Sequence, residues 1–220
     1  MTTPAPARPT LQDRVYDGLQ NDIISGTLRP GEHLKVAHLA KRFGTSQAPV
    51  REALRRFTEE GLATTTPFQG TVLKEPTWDE IKEIYYLREE LEVIAVRRIM
   101  ANPQADLAPV KRAFRNIERG VRVGAPIEVL NADLEFHRTV CDAAGSPLTL
   151  EVWSMIIKRF RGARTILERE RPDDGSTIIQ SHRELLDALA TGDSAQAEPA
   201  FRQHLKLAFE AYERNGVPHY

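Results

Sequence analysis

The chain has almost no cysteine. Cys141 stands alone in 220 residues, which excludes an intrachain disulfide and fits a reducing compartment, the cytoplasm. No apolar run approaches the roughly 20 residues that carry a helix across a bilayer, so no membrane is expected to be involved. The opening MTTPAPARPT lacks the apolar stretch of a secretory signal. Rich in Pro, Ala and Thr, it is expected to be a disordered tail over residues 1–10. No internal repeat recurs, and no low-complexity segment lies beyond that tail. A strong net charge is missing too: the formal value is −1, which by itself argues poorly for a polyanion binder.

The charge is unevenly divided, however. Residues 1–75 hold 10 Lys+Arg against 8 Asp+Glu, and the remainder holds 20 against 23. A slightly basic N-terminal module followed by an acidic remainder has the sign expected when only the first part meets nucleic acid.

Within that first part, the stretch GTSQAPVREALRRFTEEG, from Gly44 to Gly61, is organised as one amphipathic helix. Ser46 is an N-cap candidate whose hydroxyl could accept from the first turn. Pro49 sits in that turn, where its missing N–H costs little, and Gly61 is a natural stop. At roughly 100° per residue, Val50, Leu54 and Phe57 share one arc and Gln47, Arg51, Arg55 and Thr58 share another. The first arc suits a core. The second offers long donors at successive turns, as a solvated helix does, and as a helix in a DNA major groove does.

The flanking segments favour the groove. A helix is expected from about Leu11 to Ser25, with Val15, Tyr16, Leu19 and Ile23 on its apolar face and Gly26 at its end. Arg29-Pro30-Gly31-Glu32 reads as a turn, and Val36 to Phe43 reads as a short helix closed by Gly44. Helix, tight turn, helix is the helix-turn-helix arrangement. Ala63 to Thr66 and Thr71 to Leu73 read as two β-branched strands joined through Pro67-Phe68-Gln69-Gly70, a wing. Gly70 would let the wing backbone approach a phosphate or the minor groove.

These residues resemble a known family. Ser46-x-x-Pro49-Val50-Arg51-Glu52-Ala53-Leu54, Glu60-Gly61-Leu62 and Pro67-x-x-Gly70, preceded by Leu28-x-Pro30-Gly31-x-x-Leu34 and Leu39-Ala40, are similar to the winged helix of GntR-family bacterial transcription regulators. The resemblance covers about residues 11–74 and implies DNA contacts at Ser46, Gln47, Arg51 and Gly70. Arg55 joins them as a member of the exposed stripe. The position of Gln47 is usually Arg in that family, and Gln prefers adenine edges where Arg prefers guanine.

After a linker at Lys74-Glu75-Pro76, Thr77-x-x-Glu80 is a capping box. From there the pattern is helical. Breaks at Asn102-Pro103, Gly124 to Pro126, Gly145 to Pro147, Arg171 to Gly175 and Thr191 to Asp193 give six helices over about 78–101, 104–122, 127–144, 147–169, 176–190 and 194–214. The fold is therefore expected to be mainly α: a winged helix-turn-helix over 11–75, then an all-α six-helix bundle over 76–220 for effector binding and dimerisation. Pro199 should kink the last helix or move its start towards Glu198.

Several polar residues fall inside apolar stripes of this bundle. Asp133 and His137, four apart, lie among Leu130, Leu134, Val140, Cys141 and Ala144. His182 is centred among Ile178, Leu185, Leu186 and Leu189, and His204 among Ala200, Phe201, Ala208 and Ala211. The last two helices should pair antiparallel about Gly192-Asp193. The midpoint of 182 and 204 lies in that turn, so the two histidines should sit level. A single such histidine is ordinarily a satisfied core residue. Three imidazoles and a carboxylate converging in one core suit a divalent metal ion, Zn²⁺ first, with Ni²⁺ or another borderline ion as substitutes.

Asp133-x-x-Phe136-His137, Ser181-His182-Arg183-x-Leu185-Leu186-Asp187-Ala188, Gly192-Asp193 and Arg202-x-His204-Leu205 resemble the FCD ligand-binding domain of the FadR subfamily, in its six-helix VanR-like form. That resemblance implies a metal held by Asp133, His137, His182 and His204 at the base of an effector cavity. It departs at Ser146, where Asn is usual. Arg88 also lies in an apolar stripe, with Ile81, Ile84, Leu91 and Ala95. It could pair with Glu92 or Glu135, or hold an effector carboxylate bidentately; the resemblance favours the latter. One of Arg159, Arg161 and Arg164 could line the same cavity. Lys111-Arg112 and Arg97-Arg98 read as solvated faces, and Cys141 as core.

The expected function is a cytoplasmic, homodimeric repressor that binds a double-stranded inverted repeat and responds to a small carboxylate at a metal-containing cavity. A metal-dependent hydrolase on a helical scaffold is the alternative, as is a regulator whose metal is purely structural. Against the hydrolase, no well-placed general base accompanies the site, and residues 11–74 would have no role. Gln47→Arg should shift base preference from adenine towards guanine in a selection from random duplexes. An equal change in affinity at all sites would place Gln47 away from base edges.

Overall fold

Thr10 and Asp13 start the first helix by exchanging caps. Asp13 N–H donates to Thr10 Oγ1 at 3.1 Å, and Thr10 N–H donates to Asp13 Oδ2 at 2.9 Å. This computed structural model describes residues 9–25, 27–74, 77–168 and 175–215, apart from the side chains of Ile24, Lys158, Arg159, 161–168, Tyr212 and Asn215. The expected tail over 1–8, the Gly26 stop, Glu75-Pro76 of the linker, most of the Arg171–Gly175 break and the three arginine side chains on the fourth bundle helix lie outside the described residues. The chain divides into two compact units, Met1–Glu75 and Pro76–Tyr220.

In the first unit, α1 (Leu11–Ile24) and α2 (Val36–Arg42) pack on α3 (Gln47–Glu59). Val15, Tyr16, Leu19 and Ile23 meet Val50, Leu54 and Phe57, all buried. Tyr16 stacks edge-on against Phe57 with ring centroids 5.1 Å apart. Its hydroxyl donates to buried Glu60 and receives a hydrogen bond from Gln20 at 2.9 Å, and its ring lies under the Arg56 guanidinium, which pairs with Glu60 at 2.9 Å. These bonds tie the middle of α1 to the C-terminal end of α3, where apolar packing alone would fix neither rotation.

Ser46 has the extended conformation of an N-cap, but its hydroxyl accepts no capping bond, which corrects the sequence expectation. Strand β1 (Ala63–Thr66) pairs antiparallel with β2 (Gly70–Leu73), Thr65 opposite Thr71. The second strand therefore begins at Gly70, one residue earlier than expected. A pairing that the sequence did not suggest lies at residues 31–34. Gly31 N–H donates to Leu73 O, Leu73 N–H to Glu32 O and Leu34 N–H to Thr71 O, each at 2.8–2.9 Å. The expected turn is present, with Glu32 N–H donating to Arg29 O at 3.1 Å, and the chain leaving it lies along β2 as an isolated bridge between His33 and Val72, which gives the outer edge of that strand backbone partners.

In the second unit, Thr77 and Glu80 form the expected capping box and start α4 (Trp78–Met100). There follow α5 (Ala108–Arg122), α6 (Pro126–Ala143), α7 (Pro147–Glu168), α8 (Ser176–Ala190) and α9 (Ser194–Asn215). α5 starts four residues later than the sequence pattern suggested. Asn102 Oδ1 accepts from Gln104 N–H and Asp106 Oδ1 from Ala108 N–H, at 3.1 and 2.9 Å. These side chains offer the backbone a turn instead of a helix. α9 starts at Ser194, where the sequence pattern placed it, and runs through Pro199, so the later start near Glu198 is not found. α4 packs on α6, α7 and α9, α5 on α6 and α8, and α8 on α9. Among the described residues, no helix is long and apolar enough to cross a membrane.

Phe57 is fully buried at the centre of the first unit. Phe57→Ala should destabilise that unit by about 3–5 kcal/mol. Amide exchange of α1 and α3 in the full chain reads this directly, with the protection of α4 and α6 unchanged.

Candidate functional site

The exposed face of α3 carries Gln47, Arg51 and Arg55 as expected. Arg51 donates to Gln47 Oε1 at 3.1 Å, a contact between one charge and one neutral amide. Arg55 is more committed, because Glu52 and Glu59 both pair with it. Engaging a phosphate with Arg55 means breaking those pairs, whereas Arg51 gives up a single bond. Gly70 has φ 87° with open space around it, so its backbone conformation rather than crowding demands glycine. Ser46 is exposed at the helix start.

The second unit contains a cavity of about 320 Å³, within the range of small-molecule sites. Arg88, Asp133, His137, His182 and His204 all line it. The three imidazoles come from three helices. Their centroids are 5.3 Å apart for His137 and His182, 5.2 Å for His137 and His204, and 4.7 Å for His182 and His204. The last distance meets the expectation of level histidines across the α8–α9 hairpin. One potential ligand nitrogen from each lies within 4.8 Å of the others. His137 and His182 are buried, and His204 is partly so. Asp133 Oδ1 is 3.0 Å from His182 Nε2.

The tautomers can be deduced. His182 Nδ1 lies 2.8 Å from Ile178 O, and a carbonyl only accepts, so that nitrogen carries the proton. His137 Nδ1 lies 2.6 Å from Glu92 Oε2. Burial alone would raise the Glu92 carboxyl, but Arg88 and His137 beside it, with hydrogen bonds from His137 and Trp153, hold it down at about 2. It is therefore an ionised acceptor, and His137 Nδ1 donates to it. Burial pushes the His137 imidazole down to about 4, with Arg88 reinforcing burial and Glu92 opposing it, so the ring is neutral. His204 is pushed well below its ordinary value by burial and by the two neighbouring imidazoles.

The Nε2 of His137 is thus a lone pair. It is buried with no hydrogen-bond partner among the described residues, and the buried Nε2 of His182 faces the Asp133 carboxylate oxygen at 3.0 Å. Such atoms are costly to bury. Three imidazole nitrogens and a carboxylate oxygen are the donor set of a borderline divalent cation, and proton-donating contacts behind the rings are the usual support for such ligands. The residues present fit the group.

Arg88 pairs with Glu92 at 2.7 Å, and Glu135 with Arg138 instead. The guanidinium sits 5.2 Å from the Phe160 ring centroid and 6.0 Å from that of Tyr85, which orients it along the cavity wall. Ser146, the departure noted in sequence, accepts from Thr149 Oγ1 at 2.9 Å, at the entry to α7. Cys141 is buried, and burial pushes its thiol up, as suits a core residue. Sequence reasoning missed the importance of Glu92 and Trp153. Glu92 entered only as a candidate partner for Arg88, although its position four residues on, in the same stripe, was the available signal.

Two families match this chain. The FCD domain matches residues 83–207, and the bacterial regulatory proteins of the gntR family match residues 11–73. The chain belongs to the GntR family, in the group with an FCD domain. It is 29% identical over 212 residues to a protein of Paenarthrobacter nicotinovorans named as a probable D-xylose utilization operon transcriptional repressor, covering 96% of this chain and 93% of that one. It is 26% identical over 212 residues to the regulator McbR of Escherichia coli K12, covering 93% and 95%. A solved GntR regulator from Rhodococcus sp. RHA1 shares the fold with a TM-score of 0.72 at 24% identity, over 94% of this chain and 99% of that one. This FCD-type GntR protein is therefore a DNA-binding transcriptional regulator with an effector-binding domain. Its relatives are named as regulators, which sets the hydrolase alternative aside.

Acid should unfold the FCD domain through His137 and His204, both held below their ordinary range by burial. The unfolded chain takes up protons near pH 6.5, and folded His137 does so only near pH 4. Stability should be constant above neutrality and fall as pH drops from about 6.5 to about 4, with Glu92 adding to the loss below about pH 4.5. Both tryptophans, Trp78 and Trp153, belong to this unit, so urea midpoints by tryptophan fluorescence in chelator should decrease from pH 7.5 to 5. A midpoint that rises on acidification contradicts neutral buried imidazoles.

Proposed function

We propose that this regulator is a homodimeric repressor that binds an inverted-repeat operator and is released by a small carboxylate at a metal-containing cavity. The observation that carries the proposal is the buried, partnerless Nε2 of His137 beside ligand nitrogens of His182 and His204, with Asp133 Oδ1 3.0 Å from His182 Nε2. Asp133, His137, His182 and His204 would hold the ion, with Zn²⁺ the best match to three imidazoles and one carboxylate and Ni²⁺ the next. When bound, such an ion supplies positive charge and open coordination positions for an anionic ligand.

The protein's own groups do the rest. Arg88, oriented by Phe160 and Tyr85 and lining the same cavity, is placed to receive a carboxylate. The apolar walls exclude water and strengthen that contact. In the first unit, Ser46, Gln47, Arg51 and Arg55 would meet the major groove and Gly70 of the wing a phosphate. Effector binding would shift the population between two arrangements of the DNA heads in the dimer. The proposed inverted repeat and the proposed dimer go together, because an inverted repeat mirrors protein two-fold symmetry.

Ion binding should stabilise the FCD domain. At an ion concentration 100 times Kd the gain is about 2.7 kcal/mol, a rise of several degrees in Tm. Chelation should reverse it, and a thermal-shift screen of small carboxylates should give hits on Zn²⁺-loaded protein that Arg88→Ala loses. If chelation changes neither Tm nor the carboxylate response, the metal reading fails. If it changes Tm alone, the metal is structural.

A further inference from the structure

Both oxygens of the Glu92 carboxylate are occupied, by three donors from three other side chains. Oε1 accepts from Arg88 Nε at 2.7 Å and from Trp153 Nε1 at 3.1 Å. Oε2 accepts from His137 Nδ1 at 2.6 Å. Glu92 and His137 have no exposed surface, and Arg88 and Trp153 are 2% exposed. No bulk water can substitute for any of these bonds.

The four groups differ in what they can do. Guanidinium and indole nitrogens donate only. An ionised carboxylate accepts only. Imidazole alone can exchange the roles of its two nitrogens. With two donor-only groups fixed on Oε1 and a carboxylate oxygen facing Nδ1, His137 has one arrangement left: proton on Nδ1, lone pair on Nε2. That lone pair is the one facing His182 and His204.

We infer that Glu92 is the positioning residue that turns His137 into a metal ligand, by fixing its tautomer through a carboxylate anchored on Arg88 and Trp153. This rests on the metal reading given above. Glu92 never touches the ion; it determines which His137 nitrogen carries a proton.

Glu92→Gln exposes the logic, because it changes charge and donor pattern but hardly shape. The amide brings one acceptor and one donor. Arg88 Nε and Trp153 Nε1 cannot accept, so the amide oxygen stays on their side and the NH₂ turns towards His137. Nδ1 must then accept, and the proton moves to Nε2, where it blocks the ligand position. A carboxylate whose role was merely to fill space would leave the tautomer alone.

The experiment uses the full chain. Long-range ¹⁵N–¹H correlation on metal-free protein reads each histidine tautomer without any ion. In the unsubstituted chain His137 should show Nδ1 protonated, and in Glu92→Gln the pattern should invert while His182, held by Ile178 O, keeps its own. Competition with a chromophoric chelator should then show Zn²⁺ binding weakened 10–100-fold in Glu92→Gln. An unsubstituted His137 with its proton on Nε2 overturns the inference, and no variant is needed for that result. Unchanged tautomer or unchanged Zn²⁺ affinity in a folded Glu92→Gln overturns it as well. If the unsubstituted chain binds no Zn²⁺ at all, the metal reading fails, yet the tautomer inversion still decides whether Glu92 controls His137.

Discussion

An ionised carboxylate with no exposed surface sits at the centre of this FCD domain, and it is stable there only because of its neighbours. Burial disfavours the charged form of Glu92; Arg88, His137 and Trp153 together outweigh it. Removing one partner from such a cluster leaves a charge without compensation, which is far costlier than never having buried it. The cluster ties Arg88 and Glu92 on α4, His137 on α6 and Trp153 on α7 into one arrangement. The contacts among those three helices are therefore set by hydrogen-bond geometry as well as by the apolar core around Phe136, Val140 and Phe201.

The site was legible in sequence to the extent that it broke a pattern. His137, His182 and His204 stand in apolar stripes, and a polar side chain on a buried arc is an anomaly that periodicity reveals. The level of His182 with His204 followed from counting residues across a short hairpin. Glu92 was not legible in the same way. It follows Glu89 and Glu90, and three glutamates in four positions look like a solvated face. Only packing separates them: Glu89 and Glu90 pair with Arg202 near the surface, and Glu92 turns inward. Trp153 was hidden for the opposite reason, since a buried indole is ordinary and its N–H partner lies 61 residues away.

The fold was legible where periodicity and caps spoke, and obscure where single hydrogen bonds decided. The capping box at Thr77 starts α4 where the pattern placed it. Asn102 and Asp106 delayed α5 by capturing backbone N–H groups, a contest that helix propensity does not describe. The bridge at His33 covers the outer edge of β2, and that edge is visible only once β1 and β2 have paired. At Ser46 the position was right and the expected bond absent, so the start of α3 rests on conformation and not on its hydroxyl.

Placement of the polar groups has a consequence for control. A ligand can shift an equilibrium only by its differential affinity for two arrangements. Asp133 and His137 belong to α6, His182 to α8, His204 to α9, and Arg88 with Glu92 to α4. Four helices of the bundle thus present groups to one cavity, and a change in what occupies it alters the energy of each of them at once. A close-packed interior responds to such a change by discrete repacking rather than by continuous deformation. Arg88 and His137 are moreover bound to the same carboxylate, through Oε1 and Oε2. A pull on either is felt by the other across a single buried group, which requires no longer pathway through the domain. The buried atoms whose partners are not interchangeable are thus the ones that couple α4, α6 and α7 most directly.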